Sequence, residues 1–477
     1  MADKVKHNKQ APTGLNDSGV DEVLVIDAAT KEDLFLTSTE AETDPETDAE
    51  PLNLFSFCNY CRTQGGAVVL RRRMNKPFSD SQKIRNAQAA LSFINAHSEL
   101  FAELPSAYLT GNTERYIHEN LPVVRQDNLI EFTSEAFSLW SGDDRYSIKI
   151  SRGVELTGRF LESLEQFAAQ FETRAPAGEL VGLIDEVQKL LHYQGIVDRP
   201  RAKSGQFFLR KMRIDQCFRL REKATIDRLL KLVYEIDALA SLAEVTVKHN
   251  FVFPEVSEPP ASVYAEGLYH PFVAQAVGNT LTMDQSQRVI FLTGPNMAGK
   301  TTYLRAAATA IYFAHLGMGV PATQFRFTPL QRLLTAISLS DDLNDGISYF
   351  RAEALRVKAV AQAVADGYRV LAIMDEPFKG TNVKDAFDAS LAVLTRFAQK
   401  QECLFMVSSH LIELSEQLDD DLSIGYCYFE AQEQGQTLDF DYLVQEGVSS
   451  QRLGMRVLQE EGIFSLLDGN HQNNEKD

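Results

Sequence analysis

The sequence has little that would suit a membrane or a secreted protein. No run approaches the ~20 consecutive apolar residues that a membrane-spanning helix needs. Met1–His7 lack the apolar core of a signal peptide. The 5 cysteines are odd in number and scattered over 477 residues, which suits reduced thiols rather than a disulfide framework. We therefore expect a cytoplasmic protein that has no membrane segment.

Cysteine pairs that could bind a metal are also scarce. Cys58 and Cys61 have the spacing of half a zinc site, but no second pair of this kind follows in the sequence. We therefore interpret this spacing as a coincidence.

Negative charge is concentrated at the two ends of the chain. Of the net charge of −19, residues 1–50 contribute 13 acidic and 4 basic groups, and residues 413–477 contribute 15 acidic and 3 basic groups. The remaining residues, 51–412, are close to neutral at +2. Net charge therefore neither supports nor excludes binding to nucleic acid.

Hydrophobic periodicity divides the chain into two parts. Apolar residues recur at three- and four-residue spacing through residues 52–250, which predicts long helices. The clearest helical stretches are Ile84–Leu104, Leu161–Phe171, Leu180–Tyr193 and Ile226–His249, with strand-like alternation only at Tyr146–Ile150. From Ala261 onward short apolar runs alternate with helical segments, as in a doubly wound parallel sheet. Its predicted strands include Val289–Leu292, Val370–Met374 and Leu404–Val407.

We therefore predict a multidomain fold. An all-α domain at residues 21–252 precedes an α/β P-loop domain at residues 253–467, with three prolines at the boundary (Pro254, Pro259 and Pro260). The polar residues 1–20 and 468–477 are expected to be disordered tails.

The segment Thr293–Thr302 reads T-G-P-N-M-A-G-K-T-T and follows the first predicted strand. It contains G-x-x-x-x-G-K-[ST] at Gly294, Gly299, Lys300 and Thr301. Glycines allow backbone N–H groups to surround phosphate oxygens, and the following helix directs its positive end at the same anion. The lysine supplies a charge for the β- and γ-phosphates, and the threonine hydroxyl can ligate Mg²⁺. This chain is predicted to bind a nucleoside triphosphate.

Two later strands end in groups that complete such a site. Val370–Met374 is followed by Asp375 and Glu376, which suit a magnesium shell and the polarisation of an attacking water, respectively. The next predicted strand is followed by Ser408-Ser409-His410. His410 can reach a γ-phosphate or play a structural role, and its spacing alone favours neither.

The P-loop sequence T-G-P-N-M-x-G-K-[ST]-T resembles that of the MutS mismatch-repair ATPases. Further matching segments are Tyr269-His270-Pro271, Asn279, Gly317–Ala322, Asp341-Asp342-Leu343, Ser348-Tyr349-Phe350, Glu353, Gly380-Thr381 and Glu413-Leu414. The helical part resembles the family's core domain at Thr63, Gly65, Leu70-Arg71, Lys76-Pro77, Ile84-Arg85 and Asp237–Ala243. The resemblance covers residues 21–463 and implies a helical core and lever domain joined to an ABC-type ATPase domain.

The resemblance also implies roles for single residues. Lys300, Glu376 and His410 would be catalytic, and Thr301 and Asp375 would hold Mg²⁺. The residues that would contact ATP are Gly294, Pro295, Asn296, Met297, Ala298, Gly299, Lys300, Thr301 and Thr302. Ser348 would reach the nucleotide of a second subunit, so the expected unit is a homodimer with composite ATP sites.

The sequence departs from the family in several places. The domains that read mismatches and connect to the core are expected to be missing before residue 21, and the C-terminal tail helices are short. Phe101-Ala102-Glu103 has the letters of the family's DNA wedge, but its amphipathic context favours core packing. Ala276 stands where an aromatic residue often stacks on adenine, which leaves base selectivity open. Lys379 replaces the usual arginine, after an unusual Pro377-Phe378.

Contacts to DNA would have to come from another segment. Residues 199–231 hold eleven basic and three acidic groups. On a single helix, five of the basic residues share an arc of about 80°. These are Arg210, Arg213, Arg221, Arg228 and Lys231. Such a stripe could lie along phosphates and read DNA shape, or it could be a solvated face that balances the acidic termini.

The leading hypothesis is a dimeric, DNA-dependent ATPase of the MutS type, which couples ATP to clamping on mismatched or branched DNA. Two alternatives remain. The first is an ATP-driven dimerising scaffold with a protein partner. The second is a transporter-associated ATPase, which the absence of a membrane segment and of Leu-Ser-Gly-Gly disfavours.

Overall fold

The protein is represented by a computed structural model that describes residues 22–36, 53–142, 144–192, 207–338, 349–418, 423–434, 437–449, 451, 458 and 463–467. Helices dominate the described residues up to Lys248, and two sheets with their helices follow. A helical region followed by an α/β domain was predicted from the periodicity, and this fold class is confirmed.

The helices of the first region are mostly amphipathic. They are α1 (Ala28–Asp33), α2 (Leu54–Cys58), α3 (Gln64–Met74), α4 (Ser81–Ala96), α5 (Ser98–Ala102), α6 (Ala107–His118), α7 (Leu129–Gly142), α8 (Asp144–Ala169), α9 (Leu180–Leu191), α10 (Phe208–Gln216) and α11 (Lys223–Lys248). A 3₁₀ turn at Gln170–Glu172 follows α8, and a π-helical turn at Cys217–Arg221 joins α10 to α11. The long helices α8 and α11 provide much of the buried apolar surface of this region.

Side-chain caps define where several helices begin. At the start of α3 the Thr63 hydroxyl accepts a hydrogen bond from Gly66 N at 2.9 Å and donates one to Asp237 in α11 at 2.6 Å. A Cβ on Gly66 would lie 2.1 Å from that carboxylate, so only glycine permits this close approach. The cap of α3 and its contact with α11 are therefore one structural unit.

One local pattern in the helical region is misleading and one local prediction is wrong. The strand-like alternation at Tyr146–Ile150 lies within α8, because Tyr146, Ile150 and Val154 recur at four-residue spacing and are all buried. The single helix expected over Ile84–Leu104 is divided between α4 and α5 at His97, whose Nδ1 lies 3.0 Å from Phe93 O.

Phe101 lies in the protein core, as its amphipathic context predicted. The side chain is 4% exposed and packs edge to face against Phe167 and Phe171. A ring held in this way is not available to wedge into DNA.

The second region contains two sheets. The strands are β1 (Val25–Ile26), β2 (Glu255–Val256), β3 (Val263–Leu268), β4 (Asn279–Met283), β5 (Val289–Thr293), β6 (Gln324–Phe327), β7 (Arg332–Ala336), β8 (Val370–Asp375), β9 (Leu404–Ser408), β10 (Ile424–Gln434) and β11 (Thr437–Glu446). The larger sheet has the order β1-β7-β8-β9-β5-β10-β11, and the smaller one has the order β2-β6-β3-β4. The described helices of the second region are α12 (Lys300–His315), α13 (Tyr349–Ala365), α14 (Val383–Phe397), α15 (Leu414–Gln417) and α16 (Ile463–Leu467).

The larger sheet is mixed rather than purely parallel. All of its neighbouring strands are parallel except β10 and β11, which form an antiparallel pair. The three strands predicted from apolar runs are confirmed, and each extends one residue further than predicted, to Thr293, Asp375 and Ser408. Two of these added residues, Asp375 and Ser408, bond each other at the candidate site. Val25–Ile26, grouped with the helical residues in the sequence, pairs with β7 in this sheet.

Candidate nucleotide site

Three neighbouring strands bring the predicted groups to one edge of the sheet. Strand β9 lies between β8 and β5, and Ser408 at its end is in register with Asp375 of β8 and Leu292 of β5. Because parallel strands all end on the same side, the P-loop after β5, the carboxylates of β8 and the Ser-His segment of β9 meet there.

The P-loop has a backbone shape that few residues can adopt. Gly294 and Gly299 have φ values of +134° and +105°, and Met297 between them has +68°. A Cβ on Gly294 would lie 2.7 Å from Phe429 O, so a larger residue would clash with the adjacent strand. Helix α12 begins at Lys300 directly after this turn. The turn and the helix N-terminus together form a cradle suited to phosphate.

Lys300 lies folded against the P-loop itself. Its ammonium donates hydrogen bonds to Gly294 O at 2.8 Å and Pro295 O at 3.0 Å, and the residue is 4% exposed. Burial lowers the pKa of Lys300, while the nearby carboxylates Glu376 and Asp375 act in the opposite direction. A buried cation at this point can attract a polyphosphate strongly because little water screens it.

Asp375 is held by two hydroxyl groups. Thr301 Oγ1 donates to Asp375 Oδ2 at 2.6 Å, and Ser408 Oγ donates to the other carboxylate oxygen. Ser408 Oγ also accepts a hydrogen bond from Glu376 N at 3.0 Å. Hydroxyl and carboxylate oxygens are the ligands that Mg²⁺ prefers, so Thr301 and Asp375 could hold this ion.

Glu376 and His410 form a pair at the end of the site. His410 Nε2 lies 2.6 Å from Glu376 Oε1. The hydrogen bond from His410 lowers the pKa of Glu376, although burial opposes the shift. Glu376 also has a φ of +53°, an unusual backbone conformation for glutamate.

Beside the P-loop lies a cavity of about 450 Å³. It is lined on one side by P-loop residues, including the exposed Asn296 and Thr302, and by Glu376, and on the other by the segment that contains Ala276. Pro295 is a buried lining residue, and Ala298 of the P-loop is buried in the core, whereas Met297 is 80% exposed. This volume is in the range of small-ligand sites.

Two aromatic residues of the cavity were not found from the sequence. Phe429 and Tyr442 come from β10 and β11, and the Tyr442 Cδ1 atom would lie 3.3 Å from a Cβ on Gly299. Asn279 fixes this hairpin, because its side chain donates to Tyr442 O at 2.9 Å and accepts from Val444 N at 2.7 Å. No short motif marks Tyr442, which is placed by pairing with a residue 163 positions away.

His270 also borders the cavity and is kept neutral. The residue is 8% exposed, and burial lowers its pKa to about 4, with Arg305 adding to the shift. Its Nδ1 lies 3.3 Å from Phe272 N, in line with a neutral ring that accepts there.

The predicted basic stripe is not a continuous helical face. The assumption of a single helix is wrong, because the π-helical turn Cys217–Arg221 changes the phase of side chains between α10 and α11. Within the described residues, Arg210 and Lys231 are exposed and form no ion pair. The other three have protein partners.

Those three arginines are held by neighbouring helices and loops. Arg213 stacks over the Phe132 ring at 3.5 Å from its centroid, and Arg221 pairs with Asp127. Arg228 bonds Glu186 at 2.6 Å and Glu235 at 3.2 Å, and Glu186 raises its pKa above the usual range. The positive charge of these three arginines is therefore used in contacts within the protein, which are ion pairs and stacking on an aromatic ring.

The family model for MutS domain V matches residues 290–467. A MutS domain V therefore lies in the C-terminal half of this chain. MutS domain V is an ATPase domain, and the family assignment therefore implies that this chain binds ATP. The ATPase domain follows a largely helical region, as the resemblance predicted. Ser348, the predicted contact to a second subunit, lies outside the described residues. In the part of the chain that the structure describes, no helix is long and apolar enough to cross a membrane.

Proposed function

We propose that this protein is a MutS-type ATPase that uses ATP to close a dimer on mismatched or branched DNA. The observation that carries the proposal is that Lys300, Thr301 and Glu376 line one cavity, while Asp375 bonds Thr301 and His410 pairs with Glu376. Each group follows or ends one of three neighbouring strands, so the fold brings these groups together before any nucleotide arrives.

The residues present fit magnesium and ATP. The P-loop glycines provide a cradle that a Cβ would fill, and Thr301 with Asp375 offers hard oxygen ligands 2.6 Å apart. Thr301 and Asp375 would hold Mg²⁺, which supplies charge neutralisation for the β- and γ-phosphates. Lys300 would bind the same phosphates with its ammonium group.

Glu376 acts in this proposal as the group that orients and deprotonates water. Its lowered pKa keeps it ionised at neutral pH, and only the ionised carboxylate can take a proton from water. His410 holds the carboxylate through the 2.6 Å contact, and in this proposal its ring also contacts a terminal phosphate. Ser408 fixes both acids at once, because it bonds the Asp375 side chain and the Glu376 backbone.

Dimerisation belongs to the proposal and is supported by exposed apolar residues near the site. Met297 in the P-loop is 80% exposed and Val383 at the start of α14 is 73% exposed. Both follow strands of the larger sheet at their carboxyl ends, the edge at which the nucleotide would bind. Apolar side chains at such an edge suit contact with a second copy, whose Ser348 would complete a composite site.

The helical residues 21–252 are proposed as the core and lever domain and residues 253–467 as the ATPase domain, between tails at 1–20 and 468–477. Arg210 and Lys231 remain candidates for contact with phosphates. Since phosphate contacts carry no sequence information, such a protein would recognise the shape of DNA.

An ATPase assay with and without DNA tests the proposal. Wild-type protein should hydrolyse ATP, with stimulation by branched or mismatched DNA that fades as salt rises. Lys300→Ala should abolish turnover, and Glu376→Gln should retain ATP binding without turnover. Hydrolysis that is unaffected by Lys300→Ala would contradict the site, and a rate per subunit that stays constant on dilution below the dimer dissociation constant would contradict the composite dimer.

A second candidate function is an ATP-driven scaffold that binds a protein instead of DNA. It is favoured by the ion pairs of Arg221 and Arg228, which leave less positive charge free for phosphates. In that case ATP turnover should persist with no DNA stimulation. Charge reversal of Arg210 and Lys231 separates the two candidates, because DNA affinity and its salt dependence should fall only if the protein clamps DNA.

A further inference from the structure

Residues 25–33 lie far from the P-loop in sequence but pack against the edge of the ATPase sheet. Strand β1 pairs in parallel with β7, with Val25 opposite Arg332 and Ile26 opposite Leu333. Asp27 then caps α1 by accepting from Thr30 N at 2.9 Å. This short strand and helix form a docked unit, which we call the N-terminal buckle (residues 25–33).

The first anchor of the buckle is Asp33, which is 2% exposed. Its carboxylate accepts hydrogen bonds from Thr335 Oγ1 at 2.5 Å, Ile337 N at 3.0 Å and Ser338 N at 2.7 Å. A buried carboxylate with three donors is well satisfied and holds the end of β7 firmly.

The second anchor is Arg356 on α13, which reaches the same unit. Its guanidinium bonds the Asp27 carboxylate at two nitrogens, donates to Thr30 Oγ1 at 2.8 Å, and donates to Thr335 O at 2.5 Å. Burial alone would raise the pKa of Asp27, but the hydrogen bonds from Arg356 and Thr30 outweigh it and hold the pKa below its usual value. Such a planar, bidentate contact fixes the rotation of α13 about its axis.

One turn away on α13, Glu353 faces the catalytic segment. It is 2% exposed, and its Oε2 accepts a hydrogen bond from Gly380 N at 3.1 Å. The Phe350 and Phe378 rings lie 6.0 Å apart between the same two segments. Gly380 ends the short turn that begins at Glu376, so the position of α13 sets one end of that turn.

We propose that the N-terminal buckle positions the catalytic carboxylate Glu376 through α13, from Asp27 and Thr30 to Arg356, then Glu353 and Gly380. The inference rests on the proposed role of Glu376 in ATP hydrolysis. Asp27, Asp33, Arg356 and Glu353 are positioning residues, since none of them reaches the nucleotide cavity.

A pair of capping aspartates gives a matched test. Asp27→Ala removes the cap of α1 and the partner of Arg356, whereas Asp80→Ala removes an equivalent cap, the 2.8 Å bond to Lys83 N at the start of α4. Asp27→Ala should lower kcat about tenfold or more, because small displacements of a catalytic group cost large factors in rate. The Kd for ATP should stay within about twofold, and Asp80→Ala should leave both values unchanged.

Amide hydrogen exchange of residues 376–382 gives a readout independent of activity. Asp27→Ala should accelerate exchange there, with Gly380 losing protection, and Asp80→Ala should not. Arg356→Lys keeps the charge but loses the bidentate contact, so it should accelerate exchange at residues 376–382 to a smaller extent. This variant replaces Asp27→Ala in the test if Asp27→Ala does not fold.

The outcomes separate the inference from the proposed function. A wild-type protein without ATPase activity refutes the proposed function, and exchange at residues 376–382 still decides whether the buckle positions the turn. An active wild type with unchanged kcat and exchange in Asp27→Ala and Arg356→Lys overturns the inference. A loss shared equally by Asp80→Ala also overturns it, since general destabilisation would then be the cause.

Discussion

The stability of this protein should fall as the pH is lowered from 7.5 to 5.0, and His315 should account for a defined part of the loss. His315 ends α12 and is 0% exposed. Its Nδ1 lies 2.8 Å from Ile311 O, and its Nε2 accepts from Leu330 N at 2.9 Å. The ring is therefore neutral, with the proton on Nδ1, and burial lowers its pKa to about 4.

The magnitude follows from linkage between protonation and folding. An unfolded histidine has a pKa of about 6.5, so between pH 6.5 and pH 4 the unfolded chain binds a proton that the folded chain does not. The stabilisation is thus complete above the unfolded pKa and is lost as the pH falls. For His315 the loss between pH 7.5 and pH 5.0 is about 2 kcal/mol.

Urea unfolding at the two pH values, followed by circular dichroism, measures this effect. His315→Gln keeps an acceptor and a donor but does not titrate, so its free energy of unfolding should fall by about 2 kcal/mol less than that of the wild type. His192→Gln is the control, because His192 makes the same kind of contact, 2.7 Å to Gln188 O, with an exposed side chain. Equal losses in the wild type and His315→Gln would refute the reasoning.

Three further predictions concern the nucleotide site. Ser408→Ala removes the hydroxyl that bonds Asp375. Because the lost contact is a hydrogen bond to a charged group, kcat should fall roughly 10- to 100-fold. The circular dichroism spectrum should stay unchanged. Tyr442→Ala should weaken ATP binding in calorimetry by about 1–3 kcal/mol if the ring stacks on the base, and Tyr442→Phe should not. Gly299→Ala should weaken ATP binding about tenfold, because a φ of +105° strains the backbone of any residue other than glycine. An unchanged affinity for ATP would refute this explanation.

The sequence was sufficient for the parts of the site that depend on local chemistry. A P-loop requires glycines, a lysine and a hydroxyl at fixed spacing, and Gly294 to Thr301 show all of them. The two carboxylates lie at the end of a buried strand, whose direction alone determines the edge at which they emerge. The predicted strands end one residue too early at Asp375 and Ser408, because these residues continue the backbone pairing of the sheet although their side chains are polar.

Features that depend on long-range pairing could not be obtained in this way. Tyr442 reaches the cavity because Asn279 holds the β10–β11 hairpin, and no periodicity encodes that contact. The N-terminal buckle depends on Arg356, more than 300 residues further along the chain. The arginine stripe failed for another reason: an angular projection assumes constant helical phase, which the π-helical turn at residues 217–221 breaks.

Helix α12 offers a physical route between nucleotide and helical region. It begins at Lys300 beside the P-loop and ends under α3 and α4, where Tyr312 Oη donates to Met74 O at 2.7 Å and Phe78 N donates to His315 O at 2.8 Å. A Cβ on Gly317, just after the helix, would lie 2.5 Å from Ala87 Cβ, so no gap separates the two regions there. Close-packed interiors transmit displacement instead of absorbing it. We therefore expect a shift of α12 at its phosphate end to move α3 and α4 or to break these hydrogen bonds.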